Sequence, residues 1–308
     1  MRSVRPSDRA ECPASKHLLA PGVALPKAND GLGTPTPVTT RVSKAAARRI
    51  ADTLSDTDRS VVTTLATVTV ATGGQLRRLH WPDNDTGRRL ARRHLAALTR
   101  QRVIARLHRR VGGHRPGSDS YTYRLDVVGQ RLVTDDLRRF RRPWTPGHAY
   151  LAHAVAVTEC YVVLTELTRQ DTLELLAFQA EPACWRSHAT VDGRPQFVKP
   201  DAFAVTAHGD WELRHFIEVD LATEHPARIT RKAREYVEYW QNGAEQREHG
   251  VFPKVLWVAP DAQRASVLVD AMARLDPDCW RLFQVCDTEH FADTMILGTT
   301  DADAEVRS

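Results

Sequence analysis

Cysteine is scarce in this chain, and its five cysteines are scattered over 308 residues. No two of them have the C-x-x-C spacing that zinc and redox sites commonly use. A small secreted protein stapled by disulfides would be richer in cysteine, with an even number of them. The cysteine pattern therefore argues against both a disulfide framework and a cysteine zinc site.

Long apolar runs are also missing. No stretch of 18 or more apolar residues occurs, which argues against a membrane-spanning helix. The first residues, MRSVRPSDRAECPASK, lack the apolar segment of a secretory signal. We therefore predict a cytoplasmic protein that does not use a membrane as a partner.

Acidic residues are scarce in the first half of the chain, where arginine dominates between Arg41 and Arg142. The formal net charge of the whole chain is +5, and the runs GRRLARRH, RLHRR and LRRFRR all fall in this half. Because the planar guanidinium can donate two hydrogen bonds to one phosphate, double-stranded DNA is the predicted partner. A solvated, arginine-rich surface is the alternative.

The first 130 residues divide into two predicted parts. Residues 1–46 are rich in Pro, Ser, Thr and Gly and lack a period, which predicts a disordered tail. Residues 47–130 show three helical patterns and then two alternating strands around a Gly/Pro/Ser loop. This order predicts a winged helix-turn-helix, in which the third helix enters the major groove and the wing touches the DNA backbone.

Arginines occupy the positions of this module that would face DNA. The predicted contacts on the third helix are Arg88, Arg89, Arg92 and Arg93, and those on the wing are Arg110 and Arg115, with His114 beside them. A winged module that contacts protein rather than DNA is the alternative. We keep a homodimer as a candidate assembly.

A basic connector, residues 131–148, leads to a second predicted domain at residues 149–300. Its patterns run helix, three strands, helix, strand, and then a further helix and strand. The run VFPKVLWVAP is nearly all apolar, as a strand buried on both faces would be. The predicted fold class is therefore α/β.

Carboxylates interrupt the predicted second and third strands of this domain, in the segment KPDAFAVTAHGDWELRHFIEVDLATE. Glu218 and Asp220 share one face of the third strand, and Asp201 lies on the second. A central, covered strand makes an unpaired carboxylate costly, so a cation or a hydrogen-bond network is expected there. The simpler alternative is a face that looks at water.

This arrangement resembles the PD-(D/E)XK nuclease superfamily, which implies a restriction-endonuclease-like αβββαβ domain. The resemblance implies that Asp201, Glu218 and Asp220 hold Mg²⁺ beside the scissile phosphate. Asp220 stands where the motif has its lysine, so Lys232 in the next helix is the nearest replacement, with Lys199 and Lys254 as other candidates. Glu159 is the further acid that some members use.

A narrower resemblance covers roughly Asp56 to Asp287. The segments HAVAVTECYVVL, FVKPDAF, FIEVDLATE and ITRKAREYVEYW look like the replication-relaxation family of actinobacterial plasmids and integrated elements. This resemblance implies DNA binding during the replication and relaxation of plasmid DNA. Two functions stay open: Mg²⁺-dependent nicking or cleavage of DNA, and a non-catalytic replication initiator or transcriptional regulator.

Overall fold

The computed structural model of the protein describes residues 42–107, 121–134, 147–189 and 192–296. The predicted wing contacts Arg110, His114 and Arg115 lie outside these residues, as do most of the predicted tail and connector. Within the described residues the protein is mixed α/β, as predicted.

Five helices and three short strands form the N-terminal unit. The helices are α1 (Lys44–Thr53), α2 (Asp56–Val68), α3 (Gly73–His80), α4 (Asp85–Arg100) and α5 (Val127–Val133). The strands are β1 (Ala71–Thr72), β2 (Ile104–Leu107) and β3 (Thr122–Leu125), and β3 pairs antiparallel with both β1 and β2. Helix α1 begins inside the segment that the sequence predicts as a tail, and α5 extends into the predicted connector.

Side-chain caps fix where these helices begin. Ser55 caps α2 in a capping box with Asp58, and Thr72 caps α3 in a second box with Gln75. Asn84 caps α4. Neighbouring Asp and Thr residues are equally good capping types, so the sequence alone does not single out the residue at which α2 or α4 begins.

The C-terminal unit is built on a five-stranded sheet. Its strands are β4 (Glu174–Ala180), β7 (Ala202–His208), β8 (Trp211–Val219), β9 (Lys254–Ala259) and β10 (Phe283–Asp287), in the order β10-β9-β8-β7-β4. Strands β4, β7 and β8 pair antiparallel, whereas β8, β9 and β10 run parallel. Strands β5 (Arg186–Ala189) and β6 (Pro195–Val198) form a separate hairpin between β4 and β7.

Helices cover both faces of this sheet. Helix α6 (His148–Arg169) packs on one face, where it meets Ile217 and Val219 of β8. Helices α7 (Pro226–Asn242) and α9 (Ala262–Met272) pack on the other face, together with Phe216 of β8. Helix α8 (Ala244–His249) follows α7, and a 3-10 helix spans Pro277–Leu282. Strand β9 is buried on both faces, as its apolar run predicts.

Helix α6 also joins the two units. The side-chain amide of Gln75 in α3 donates to the Val155 carbonyl and to Glu159, at 2.9 and 2.8 Å. The guanidinium of Arg78 binds Glu159 and Glu166. These contacts hold α3, the helix before α4, against the helix that supports the C-terminal sheet.

Among the described residues, α6 is the one helix long and apolar enough to cross a bilayer by length and composition. In the structure it packs between the sheet and α2 and α3, and eight of its residues are buried there. A central helix of a folded domain passes the same test, and the predicted cytoplasmic location stays a prediction.

Candidate acid-lysine site

The sheet register brings Asp201 and Glu218 together. Asp201 directly precedes β7, and its backbone amide donates to the Ile217 carbonyl of β8 at 3.1 Å. Since Ala202 pairs with Ile217, Asp201 and Glu218 follow at the next position of the same antiparallel pair. Opposite residues of such a pair project from one face with their Cβ atoms about 5 Å apart.

Glu218 is 1% exposed, and both of its carboxylate oxygens are occupied by side chains of α7. Lys232 donates to Oε2, and the hydroxyl of Tyr236 donates to Oε1. Burial raises the pKa of Glu218 to about 8, against the opposing pull of Lys232 and with a further increase from Asp201. The pKa of Lys232 is raised by Glu218 and Asp201 despite its own burial, so the lysine stays charged.

Asp201 is held by the backbone on one side and by α6 on the other. Its Oδ2 accepts from the amide of Val219 at 2.8 Å, and its Oδ1 lies 3.1 Å from Nε2 of His153. Burial alone would raise the pKa of Asp201, but Lys232 and His153 hold it below its ordinary value.

Asp220 has a partner of its own. Arg264 of α9 binds both of its carboxylate oxygens and also donates to the Glu224 carbonyl at 2.6 Å. Strand β8 ends at Val219, so the alternation that was expected to align Asp220 with Glu218 stops one residue short. The structure therefore groups Asp201, Glu218 and Lys232, and it places Asp220 in a separate ion pair.

The other predicted residues of this site lie apart from the group. Glu159 contacts Gln75 and Arg78 of α3. It comes six positions after His153 on α6, which is a rotation of about 240°, so the two side chains leave different sides of the helix. Lys199 is exposed and stacks over the Trp185 ring at 4.7 Å. Lys254 donates to the Arg281 carbonyl at 2.7 Å.

Sequence reasoning missed Arg264 and Glu181. The amide of Glu181, at the end of β4, donates to the Asp201 carbonyl at 3.0 Å. Burial and the neighbouring Asp201 raise the pKa of Glu181. Neither residue has a local sequence signal, because each reaches the site through tertiary packing of a distant element.

Asp201 and Glu218 provide only part of the ligand set that a divalent metal ion needs. Two carboxylates on neighbouring strands are oxygen donors of the kind that Mg²⁺ uses. However, Lys232 and His153 already neutralise them, and the described residues contain no group of three Asp, Glu, His or Cys arranged to hold a metal. The three-acid Mg²⁺ site therefore stays a prediction, and Asp220 does not support it.

The arginines of α4 point to solvent. Ala91, Leu95 and Leu98 bury the inner face of the helix, and His94 lies 2.8 Å from Asp58 of α2. Outside, Arg88 is near Asp83 and Asp85, and Arg89 is near Thr86.

Arg92 and Arg93 are exposed and form no ion pair or hydrogen bond with any residue that the structure describes. Their charges are therefore available to an external anion.

Two features thus define the class of protein: an arginine-bearing helical unit, and an α/β unit with a buried acid-lysine group. The replication-relaxation family model matches residues 62–255, which is more than half of the chain. The chain therefore belongs to the replication-relaxation family. Comparisons with curated proteins and with solved structures find no match.

Proposed function

We propose that this protein binds duplex DNA during the replication or relaxation of a plasmid or integrated mobile element. The exposed arginine face of α4 carries the proposal. Helices α2, α3 and α4 followed by the β2–β3 pair have the order of a winged helix-turn-helix, whose third helix enters the major groove. Arg92 and Arg93 have no acidic partner among the described residues, so a phosphate would not have to displace one.

A binding assay tests this proposal. Labelled duplex DNA is titrated with wild-type protein, with R92A/R93A, and with R234A/R274A as a control that removes the same charge from exposed positions of the C-terminal unit. We expect strong salt dependence for wild type and a shallower slope for R92A/R93A, because each lost phosphate contact lowers the slope by about 0.9. Equal binding by all three proteins would rule out α4 as the DNA-reading helix.

Cleavage of the DNA backbone is a second candidate function. Lys232 favours this candidate, because it reaches from α7 to Glu218, beside Asp201. A lysine supplied by the following helix could there replace the lysine that a PD-(D/E)XK motif carries on the strand. The order α6, β4, β7, β8, α7 and β9 agrees with that superfamily's core. Asp201 and Glu218 would hold Mg²⁺, which when bound would lower the pKa of a water and neutralise charge on the phosphate.

Supercoiled plasmid separates this candidate from a non-catalytic initiator or regulator. Wild type and D201A are incubated with the plasmid and Mg²⁺ or Mn²⁺, and nicked and linear forms are counted. Cleavage by wild type alone supports the enzyme. If neither protein changes the plasmid, and calorimetry detects no metal site that is lost in E218A, then the paired acids are a structural core and the protein acts by binding.

A further inference from the structure

Helix α1 presents a cationic face that the proposed DNA contacts do not use. Ser43 caps the helix, and Ala47, Ile50 and Leu54 pack into the core of the N-terminal unit. On the outside Lys44, Arg48 and Arg49 are exposed. None of these three cations forms an ion pair or hydrogen bond with a described residue.

The charge balance of this face differs from that of an ordinary solvated helix. On α7, Arg231 and Arg234 each have a glutamate four positions later, so charges of both signs alternate along the helix. On α1, Asp52 is the only acid, against three cations. The outer face of α1 therefore carries a net positive charge that its own helix does not balance.

The first turn of α2 links the end of α1 to α4. Arg59 donates from its guanidinium to the Ala51 carbonyl near the end of α1. The preceding residue, Asp58, contacts His94 in the middle of α4, next to Arg93. One turn of α2 thus touches both helices, and Arg59 adds a further exposed cation between them.

We propose that α1 is a second DNA-contacting surface, on which Lys44, Arg48 and Arg49 bind backbone phosphates of the duplex that α4 engages. This inference rests on the proposed DNA binding and extends it to a helix that lies before the residues matched by the family model. Contacts of this kind carry no sequence information; they add affinity and fix the orientation of the protein on the duplex.

An anionic membrane is the other polyanion that a basic helix commonly meets. Interfacial helices insert their apolar face among the lipids. The apolar face of α1 is already covered by the core of the protein, and α1 packs against α5. The buried apolar face therefore favours DNA over a lipid surface.

The test compares R48A/R49A with wild type and with the charge-matched control R234A/R274A. The dissociation constant for a fluorescein-labelled duplex of arbitrary sequence is measured between about 0.05 and 0.3 M salt, the range in which phosphate contacts dominate. Alanine has the highest helix propensity, so α1 should persist, and thermal melting checks this. R48Q/R49Q repeats the measurement with side chains of closer length.

We expect R48A/R49A to bind on the order of tenfold more weakly at about 0.15 M salt, with a slope reduced by about two. The control should keep the wild-type slope. If R48A/R49A and R48Q/R49Q bind as the control does while R92A/R93A binds weakly, the role of α1 is refuted and DNA binding by α4 stands. If wild type does not bind duplex DNA, both proposals fall.

Discussion

Lys232 of α7 donates to Oε2 of Glu218, a carboxylate that is almost completely withdrawn from water in the centre of the sheet. The two residues lie 14 positions apart in sequence, and the turn between β8 and α7 brings them together. A carboxylate buried this deeply needs a partner, because an isolated buried charge costs several kcal/mol. The pair is therefore both a candidate catalytic element and a requirement of the fold.

The first prediction concerns the loss of this pair. K232M removes the cation that lowers the pKa of Glu218 and leaves the carboxyl buried without it. At about pH 9, where the paired Glu218 of the wild type is ionised, we expect the free energy of unfolding to fall by about 3 kcal/mol in urea titrations. R231M, at the exposed neighbouring position, should change stability by less than about 0.5 kcal/mol.

The double variant K232M/E218Q separates pairing from packing. Because the glutamine carries no charge, the double variant should recover much of the stability that K232M loses. A double variant as unstable as K232M would show that packing around the lysine chain, not its charge, stabilises the protein.

Much of this part of the fold follows from the sequence. Alternation along β8 correctly separates Ile217 from Glu218, and the spacing of Lys232 and Tyr236 puts them one turn apart on one helix face. The sequence pattern predicts three strands before α7 and misses the hairpin β5–β6, because the run PQFVKPDAFAVTA has the composition of a single strand. Pro200 interrupts that run, and a proline inside a central strand argues against continuity.

Two partners of the acids, Arg264 and His153, could not be predicted. Arg264 lies 44 residues after Asp220, and His153 lies 48 residues before Asp201, on a helix whose apolar pattern gives no hint of a charged contact. Such contacts depend on how whole helices pack against the sheet. Helix α1 was missed for a different reason, since its ten residues follow directly on a segment with the composition of a tail.

The second prediction is a pH dependence of stability. The pKa of Glu218 is raised to about 8 in the folded protein, above the unfolded value of about 4.3. Its contribution is therefore fully present below the unfolded pKa and is lost as the pH rises through the folded one. Between these two pKa values the folded state binds one more proton than the unfolded state. The free energy of unfolding should therefore fall by at most about 1.4 kcal/mol for each unit of pH increase.

Urea titrations of wild type and E218Q between about pH 5 and pH 8 test this, since glutamine cannot titrate. Wild type should lose stability relative to E218Q as the pH rises. Parallel curves would mean that Glu218 is ionised throughout and fully neutralised by Lys232.

The third prediction concerns Asp220 and Arg264, which form a separate, partly buried ion pair. R264A should destabilise the protein by about 3 kcal/mol, because it leaves Asp220 without its cation. In a cycle with D220A, the coupling between the two substitutions should exceed about 1 kcal/mol. Coupling near zero would mean that the Asp220–Arg264 pair does not itself stabilise the protein. D220A should keep any plasmid cleavage that D201A abolishes, measured at a temperature where both variants remain folded.

The fourth prediction tests the contact between the two units at Gln75. Its Oε1 accepts from the Thr72 amide in the capping box of α3, while its amide group donates to α6. Q75E keeps the capping oxygen but sets a carboxylate against Glu159 and the Val155 carbonyl. We expect Q75E to lower the free energy of unfolding by about 2 kcal/mol, because the new carboxylate oxygen cannot donate to the Val155 carbonyl or to Glu159, which are both acceptors.

The destabilisation by Q75E should shrink below about pH 4, where carboxylates become protonated and can donate. Q241E provides the control, because Gln241 is an exposed position of α7 that makes no hydrogen bond with a described residue. If Q75E is as stable as Q241E at neutral pH, then α3 is not held to α6 through Gln75. The ion pairs of Arg78 with Glu159 and Glu166 would then be the contacts that hold α3, and with it α4, against the C-terminal unit.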